Sequence, residues 1–569
     1  MTRQRRVAIV GAGPSGLFAA QALATQDRLP VRIDLFERLP TPYGLLRYGV
    51  APDHENIKAV ARALASTFDH GDVSFWGLVE FGHDVTRAEL LAGYDAVIYA
   101  VGAAQDIHLQ IPGENLSGSR SAREFVAWYG GHPDARPQNL SGVTGAAAIG
   151  VGNVAIDVAR VLLKDPTDLE RTDMPPGVLE ELHAADVRDV WIVGRRGPEH
   201  ASYTTKELRE LVGLPGVQVL IDPAALDAAE RGDGGEGADG AGGAGGAGGA
   251  GGARVAEGAG GAGLDRRVRG NLEVLREAAQ RSVPDADRRL HFVFWRRPVC
   301  MHSSDGRLRA LDLERTTLDE SGSVVGTGHV DSIEVQLVLR AVGYRATPLP
   351  DVPFDTAAAI VPNVEGRVVD DSGSPLPGEY CTGWVKRGPI GVIGTNKSDA
   401  AQTVGHLLDD LAAETDEAAE PAEAAETAEP AETAETAATA EPAATAEPAA
   451  TAGPGLDVIE LLRGRGHAPS TLADWRSIDA AEVSRGESLG RARTKLSTWH
   501  ELLAHVDVER EAPAGVDAGA VDQAPAQEAG APPSEPGPQT RPPESGGESR
   551  GESGGESGAD GRGRPLASR

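Results

Sequence analysis

Residues 7–16, Val-Ala-Ile-Val-Gly-Ala-Gly-Pro-Ser-Gly, leave a chain few ways to fold. Four apolar residues, three of them β-branched, make a short buried strand. The strand runs directly into Gly11-x-Gly13-x-x-Gly16, and Leu17-Phe18-Ala19-Ala20 then opens a helical pattern. In that order the first glycine permits a tight turn, the second lets the backbone approach a pyrophosphate, and the third lets helix pack on strand. The helix N-terminus adds free N–H groups and the positive end of its dipole. A second apolar strand, Val31 to Phe36, ends in Glu37. It lies about 20 residues after Gly16, where an acid can accept both hydroxyls of an adenosine ribose. A glycine motif alone is a weak signal. Strand, turn, helix, strand and acid in register predict a dinucleotide site.

The same unit recurs with one change. Ala146 to Ile149 leads into Gly150-Val151-Gly152-Asn153-Val154-Ala155, followed by the amphipathic helix Ile156 to Leu163. Here the third position is alanine, and a small residue suffices there. Residues 164–188, rich in Pro and Asp, read as an insertion. The next strand, Val190 to Gly194, then ends in Arg195-Arg196 instead of an acid. Two guanidiniums would grip a ribose 2′-phosphate with charge-assisted, fork-shaped hydrogen bonds. The acid site therefore suits a bare adenosine ribose, as in FAD, and the arginine site suits NADPH. A chain holding both is built to pass a hydride from nicotinamide to flavin.

Composition narrows the alternatives. At 569 residues two or three domains are expected. The net charge is −31, and residues 411–453 hold eleven acids and no lysine or arginine. The remainder is still acidic, which disfavours a nucleic-acid-binding body. Cys300 and Cys381 are the only cysteines, which excludes a disulfide framework, a Cys-x-x-Cys centre and a four-cysteine iron–sulfur cluster. Such usage suits a reducing cytosol, so a cytoplasmic location is expected. The basic opening Met1 to Arg6 imitates a secretory leader, but the would-be apolar core contains the whole phosphate turn. No run of about 20 apolar residues is present to span a membrane.

Between the motifs, residues 38–54 are punctuated by Pro and Gly and read as a loop long enough to lie over a ligand at the first turn. A helix carrying Val60, Leu64 and Phe68 and a strand ending near Val79 follow. A buried strand then closes in Gly102-Ala103. Further strands are expected at Val217 to Ile221 and Leu290 to Trp295, with a hairpin region through Val338. Leu337 to Tyr344 repeats the strand-to-glycine ending of 97–103. A helix is expected over 397–412 and helical patterning over 455–505. Residues 232–263 are a Gly/Ala repeat that gains too little burial to fold. Residues 413–453 read as a disordered acidic linker and 506–569 as a disordered tail. The expected class is α/β with two Rossmann-like dinucleotide-binding domains. One is discontinuous (1–104 and 333–412, extended by 454–505), with the other (105–332) inserted.

Five stretches together resemble one family, the adrenodoxin-reductase-like NADPH–ferredoxin reductases. They are residues 7–16, Leu-Pro-Thr-Pro-Tyr-Gly-Leu-Leu-Arg-Tyr-Gly-Val-Ala-Pro-Asp-His (39–54), Gly-Asn-Val-Ala-Ile-Asp-Val-Ala-Arg (152–160), Val-Gly-Arg-Arg-Gly-Pro (193–198) and Gly-Trp-Val-Lys-Arg-Gly-Pro-Ile-Gly-Val-Ile-Gly-Thr-Asn-Lys (383–397). Tyr43 and Leu46 depart from the family's residues in the second stretch. The resemblance implies FAD contacts at Ser15, Glu37, Leu45, Val79, Trp384, Gly391, Val392 and Ile393. It implies NADPH contacts at Gly152, Asn153, Val154, Arg195, Arg196, Glu207 and Gly391. His54 and Glu210 align with polar residues flanking flavin and nicotinamide, and no metal is required. It further implies a monomeric ferredoxin–NADP(+) reductase whose iron–sulfur partner docks near Arg266, Arg267 and Arg269. Rival readings are an NADPH-oxidising flavoprotein serving another acceptor, of the glutamate-synthase small-subunit kind, a flavin monooxygenase, and a flavoprotein scaffold with interaction tails.

Overall fold

The computed structural model describes residues 3–231, 264–391, 393–417 and 455–507. The Gly/Ala insertion (232–263), most of the expected linker (418–453), the expected tail from 508 onward and Val392 lie outside the described residues. Described this far, the chain is α/β, built on one mostly parallel sheet and one all-parallel sheet.

β1 (Arg5–Val10), β2 (Val31–Phe36), β3 (Val73–Trp76) and β4 (Ala96–Tyr99) pair in parallel in the order β4-β1-β2-β3. Val7, Ala8 and Ile9 are completely buried, since helices cover both faces of the sheet. The intervening helices are α1 (Pro14–Thr25), α2 (Leu45–Tyr48), α3 (Glu55–Ala65) and α4 (Arg87–Gly93). The first apolar core joins Leu17, Ala20 and Leu23 of α1 to Ile33, Leu35 and Phe75 of the sheet. α2 corrects the expected loop at 38–54. Gly44 adopts φ 48° and Gly49 caps the far end, so the four residues between them close one turn with Leu46 and Tyr48 buried.

β5 (Gln105–Asp106) carries the chain toward the second sheet. There β6 (Ser119–Ser121), α5 (Ala122–Tyr129), β7 (Gly145–Ile149) and α6 (Asn153–Leu163) follow in turn. The expected insertion at 164–188 is itself folded, as α7 (Pro166–Leu169) and α8 (Pro176–Ala184). Each opens on a proline in its first turn, where the missing N–H costs nothing. Leu169, Met174, Leu179 and Leu182 bury into the second core, so Pro and Asp here mark helix starts instead of loop. The unit continues through β8 (Asp189–Val193), α9 (Thr205–Val212), β9 (Val217–Ile221), α10 (Pro223–Arg231), α11 (Arg266–Gln280) and β10 (Arg288–Val293).

β11 (Arg296–Ser304), β12 (Arg307–Leu318) and β13 (Val324–Glu334) form a separate antiparallel sheet whose inner face packs on the second parallel sheet. β14 (Leu337–Arg340) was expected to begin the returning half at 333. It pairs instead with β7 and β6, completing an all-parallel sheet of order β6-β14-β7-β8-β10-β9. The chain therefore leaves this sheet only after Arg340. β15 (Tyr344–Arg345) runs antiparallel to β5, so the outgoing and returning segments are hydrogen-bonded to each other.

β16 (Asn363–Val364), β17 (Arg367–Val369) and β18 (Pro375–Cys381) complete the first sheet, with β18 parallel to β4. α12 (Trp384–Arg387) and α13 (Ile393–Glu417) follow. α13 starts before and ends after the expected 397–412, so the expected linker begins as helix. Its Ala400, Val404, Leu407 and Leu411 join the first core. α14 (Val458–Gly464), α15 (Leu472–Ser488) and α16 (Trp499–Leu503) return to the same unit through Val458, Trp475, Ile478 and Leu502.

Candidate functional site

The two glycine turns are built alike. At the first, an added Cβ on Gly11 would lie 2.7 Å from the Ala100 carbonyl oxygen, and one on Gly16 would lie 2.0 Å from that of Gly11. Both are closed by backbone. A Cβ on Gly13 would meet nothing within 4 Å, so the turn is open on the side where α1 presents its N-terminus. At the second turn a Cβ on Gly150 would lie 2.2 Å from the Ala341 carbonyl oxygen. The segment after β14 thus covers Gly150 as the segment after β4 covers Gly11. Gly152 has only the Ser202 hydroxyl near it, at 3.3 Å.

Glu37 closes the first cradle. Its buried carboxylate accepts from the Ala12 N–H at 3.0 Å and the Leu39 N–H at 3.2 Å. Burial raises its pKa against those two bonds. Val79 is fixed beside it by donating to the Glu37 carbonyl at 2.9 Å. The 38–54 segment does lie over the turn: the Tyr43 N–H bonds to the Ala12 carbonyl at 2.8 Å, and Gly44 sits against Gly13. Leu45, at the start of α2, keeps 42% of its surface exposed.

The last glycine-punctuated stretch also reaches this turn. The Ser15 Oγ donates to Asn396 Oδ1 at 3.1 Å, which also accepts from Arg387 at 2.7 Å. A Cβ on Gly383 would collide with Ser15. Trp384 stacks on Tyr344, ring centres 5.8 Å apart, and its Nε1–H is buried with no partner among the described residues. Gly391 adopts φ 93°, and Ile393 opens α13 against the first core. An open phosphate turn, a ribose acid, an exposed leucine and an orphan indole N–H fit a flavin dinucleotide.

In the second cradle, Asn153 opens α6 and its side chain accepts from the Thr204 N–H at 2.9 Å. Thr204 in turn caps α9 by accepting from the Glu207 N–H. Val154 is half-buried beside Asn153 on the first turn of α6. Arg195 is exposed and Arg196 half-buried, with the Arg196 Nε–H buried and unpartnered among the described residues. Their backbone is clamped: the Arg195 carbonyl accepts from Thr316 at 2.9 Å and the Arg196 carbonyl from the Trp295 N–H at 3.2 Å. A rigid loop carrying two cationic forks fits a phosphorylated ribose.

The two halves meet at a buried polar cluster that sequence reasoning foresaw only in part. His54, N-terminal to α3, sets Nε2 at 3.0 Å from Glu207, 3.4 Å from Glu210 and 3.6 Å from Asp157. Burial opposes charging the imidazole. The bond to Glu207 and the Asp157 charge nevertheless carry its pKa above its ordinary value, against Arg160. Burial pushes the Asp157 carboxyl up to about 6 despite Arg160 and His54. Arg160, completely buried, holds Asp53 through two bonds of 3.0 Å and contacts Asp157 at 3.0 Å. Burial opposes ionising Asp53, but Arg160 and Lys164 hold its carboxyl far below the ordinary range. Asp53, Asp157, Arg160 and Lys164 were missed by sequence reasoning. The available signal was Asp157 and Arg160, a charged i, i+3 pair on the helix directly after a phosphate turn. Arg266, Arg267 and Arg269 stand apart from this cluster, exposed on the first turn of α11.

Residues 9–76 match the family profile of an NAD(P)-binding Rossmann-like domain. NADPH-ferredoxin reductase FprA of Mycobacterium tuberculosis is 40% identical over 507 residues, covering 87% of this chain and 98% of that protein. Human mitochondrial NADPH:adrenodoxin oxidoreductase is 38% identical, covering 88% and 91%. The solved structure of M. tuberculosis FprA in complex with NADPH superposes with a TM-score of 0.72, covering 88% of this chain and 99% of that one. Among the described residues no helix is long and apolar enough to cross a membrane.

Proposed function

The chain belongs to the family of NADPH–ferredoxin and adrenodoxin reductases, and on that premise we propose that it moves electrons from NADPH through FAD to a ferredoxin-type iron–sulfur protein. The observation that carries this reading is the opposite chemistry of Glu37 and Arg195-Arg196 at the ends of two otherwise equivalent cradles. Bound FAD accepts a hydride from the nicotinamide and can release the two electrons singly. Gly11, Gly13, Ser15 and Gly16 receive its pyrophosphate, and Glu37 takes the ribose. Val79, beside Glu37, lies at the adenosine end, and Leu45, Trp384, Gly391 and Ile393 line the ring system. Gly150, Gly152, Asn153 and Val154 receive the NADPH phosphates, and Arg195 and Arg196 take the 2′-phosphate.

His54, Glu207 and Glu210 stand where the two units meet. Their ion-paired side chains give that boundary a fixed polar wall. Arg160 neutralises Asp53 and Asp157, which leaves Glu207, at 3.0 Å, as the nearest ion-pair partner of His54. Residues 1–104 with the returning segment and the C-terminal helices form the FAD unit in this reading, and the segment between forms the NADPH unit. The strand pairing within each sheet supports that division. The protein acts as a cytoplasmic monomer, a reading supported by two free cysteines and by both cradles residing on one chain.

An acidic carrier approaching an acidic body needs a local basic patch to steer it. Arg266, Arg267 and Arg269 supply one, with Val268 turned into the core between them. Reversing the three charges is expected to cut ferredoxin-dependent cytochrome c reduction, most at low salt, and to spare ferricyanide reduction. Parallel loss of both activities, or of neither, would exclude the patch. The reading as a whole is tested by the visible spectrum: the purified protein shows bound flavin, and anaerobic NADPH bleaches it. Absence of flavin, or a spectrum indifferent to NADPH, would overturn it.

A further inference from the structure

Away from both cradles, the outer face of the three-stranded sheet brings a thiol, an imidazole and a carboxylate together. Cys300 and His302 stand two residues apart on β11 and project from the same side. Asp312 of β12 is the direct cross-strand partner of Cys300. A register shift between Pro298 and Cys300 sets that pairing, and bulges commonly re-aim a side chain in this way. The alternate residues Met301, Leu311 and Leu313 point inward and are buried, which fixes the outward set. One donor atom from each of Cys300, His302 and Asp312 lies within 4.8 Å of the others. His302 Nε2 is 2.6 Å from an Asp312 carboxylate oxygen.

We propose that Cys300, His302 and Asp312 form a site for a zinc-class divalent cation, with water as the remaining ligand. A sulfur–nitrogen–oxygen donor set of this kind selects borderline-soft metals. Magnesium and calcium want all-oxygen shells. Tetrahedral zinc, with bonds of about 2.0–2.3 Å, holds its ligand atoms roughly 3.5 Å apart, so small side-chain rotations close the set. On binding, the Cys300 S–H proton leaves to solvent, and the His302–Asp312 hydrogen bond gives way to one bond from each group to the metal. Ser332 of β13 is the cross-strand partner of Asp312, placed to hydrogen-bond its carboxylate. Such an outer bond orients a ligating carboxylate. His302 is half exposed, which gives a cation access. The comparable grouping of His54, Asp157 and Glu207 differs in one respect: the Arg160 guanidinium already stands 3.0 Å from Asp157 and 3.4 Å from Glu207. That cluster has its cation.

The test is equilibrium dialysis of the full-length, FAD-loaded protein against micromolar zinc chloride, followed by metal analysis. One zinc per chain is expected in the wild type. Binding should weaken at least about tenfold in each of Cys300→Ser, His302→Ala and Asp312→Asn, and measurably in Ser332→Ala. Excess magnesium should not displace the zinc. NADPH–ferricyanide activity without added metal should be the same in all variants, which shows that they fold. Wild-type protein that takes up no zinc, or variants that retain it at full affinity, would overturn the assignment.

Discussion

Arg195 and Arg196 are where coenzyme choice is decided. Each charge-assisted bond to a phosphate is worth about 1.5–3 kcal/mol. Replacing both with neutral residues should raise the KM for NADPH at least about tenfold and leave that for NADH nearly unchanged; equal loss for both coenzymes would remove the pair from the 2′-phosphate. His54 carries a pH signature. Its pKa is raised in the folded protein, so the stability it contributes is present below its ordinary value of 6.5 and is lost as pH rises through the raised value. Glu207, lowered despite burial by its bond to His54, contributes in the opposite direction and fails only in acid. The difference in melting temperature between wild type and His54→Gln should therefore shrink over the window in which the pH is raised above 6.5. A difference that stays constant over that window would mean that His54 is not charged in the fold.

Among elements, α15 does more than cover the first core. Its Glu482, with no exposed surface, receives Arg47 of α2 and, at 3.2 Å, Arg493. Lys495, just beyond α15, donates to the carbonyls of Arg47 and of Gly130, the latter at 2.9 Å, and stands 3.5 Å from Asp173. The C-terminal segment thus holds the turn that overlies the first cradle and touches the second unit as well. Glu482→Gln leaves a buried guanidinium without its counter-charge, a loss of about 3–5 kcal/mol. The melting temperature should fall and FAD should dissociate faster. Arg485→Ala breaks only the half-exposed pair with Glu501 and should change stability by less than about 1 kcal/mol. If the two variants behave alike, α15 does not secure the cradle.

Legibility followed the range of the cause. β1, the two glycine turns and Glu37 are written in contiguous residues and could be read directly. α2 could not be, because it needs Gly44 in a left-handed conformation and the support of a helix more than 400 residues away. Arg160 looked like the polar side of an amphipathic helix. It is buried because Asp53 and Glu207 arrive from distant segments to neutralise it. β14 carries the same strand-to-glycine ending as β4, so its local sequence does not reveal which sheet it joins.

Over the whole molecule, the net charge of −31 is concentrated in part outside the two sheets. The Gly/Ala stretch 232–263 and residues 508–569 lack the apolar content to build a core. Deleting both should leave FAD bound and NADPH–ferricyanide turnover within about twofold. Flavin loss on deletion would show that one of them packs on the fold. The central claim is that electrons pass from NADPH through the chain to an iron–sulfur protein. Cytochrome c reduction under anaerobic conditions, with and without added ferredoxin, tests it most directly. Rapid reduction that requires ferredoxin and prefers NADPH over NADH is the expected result. NADPH oxidation that leaves ferredoxin oxidised would contradict it.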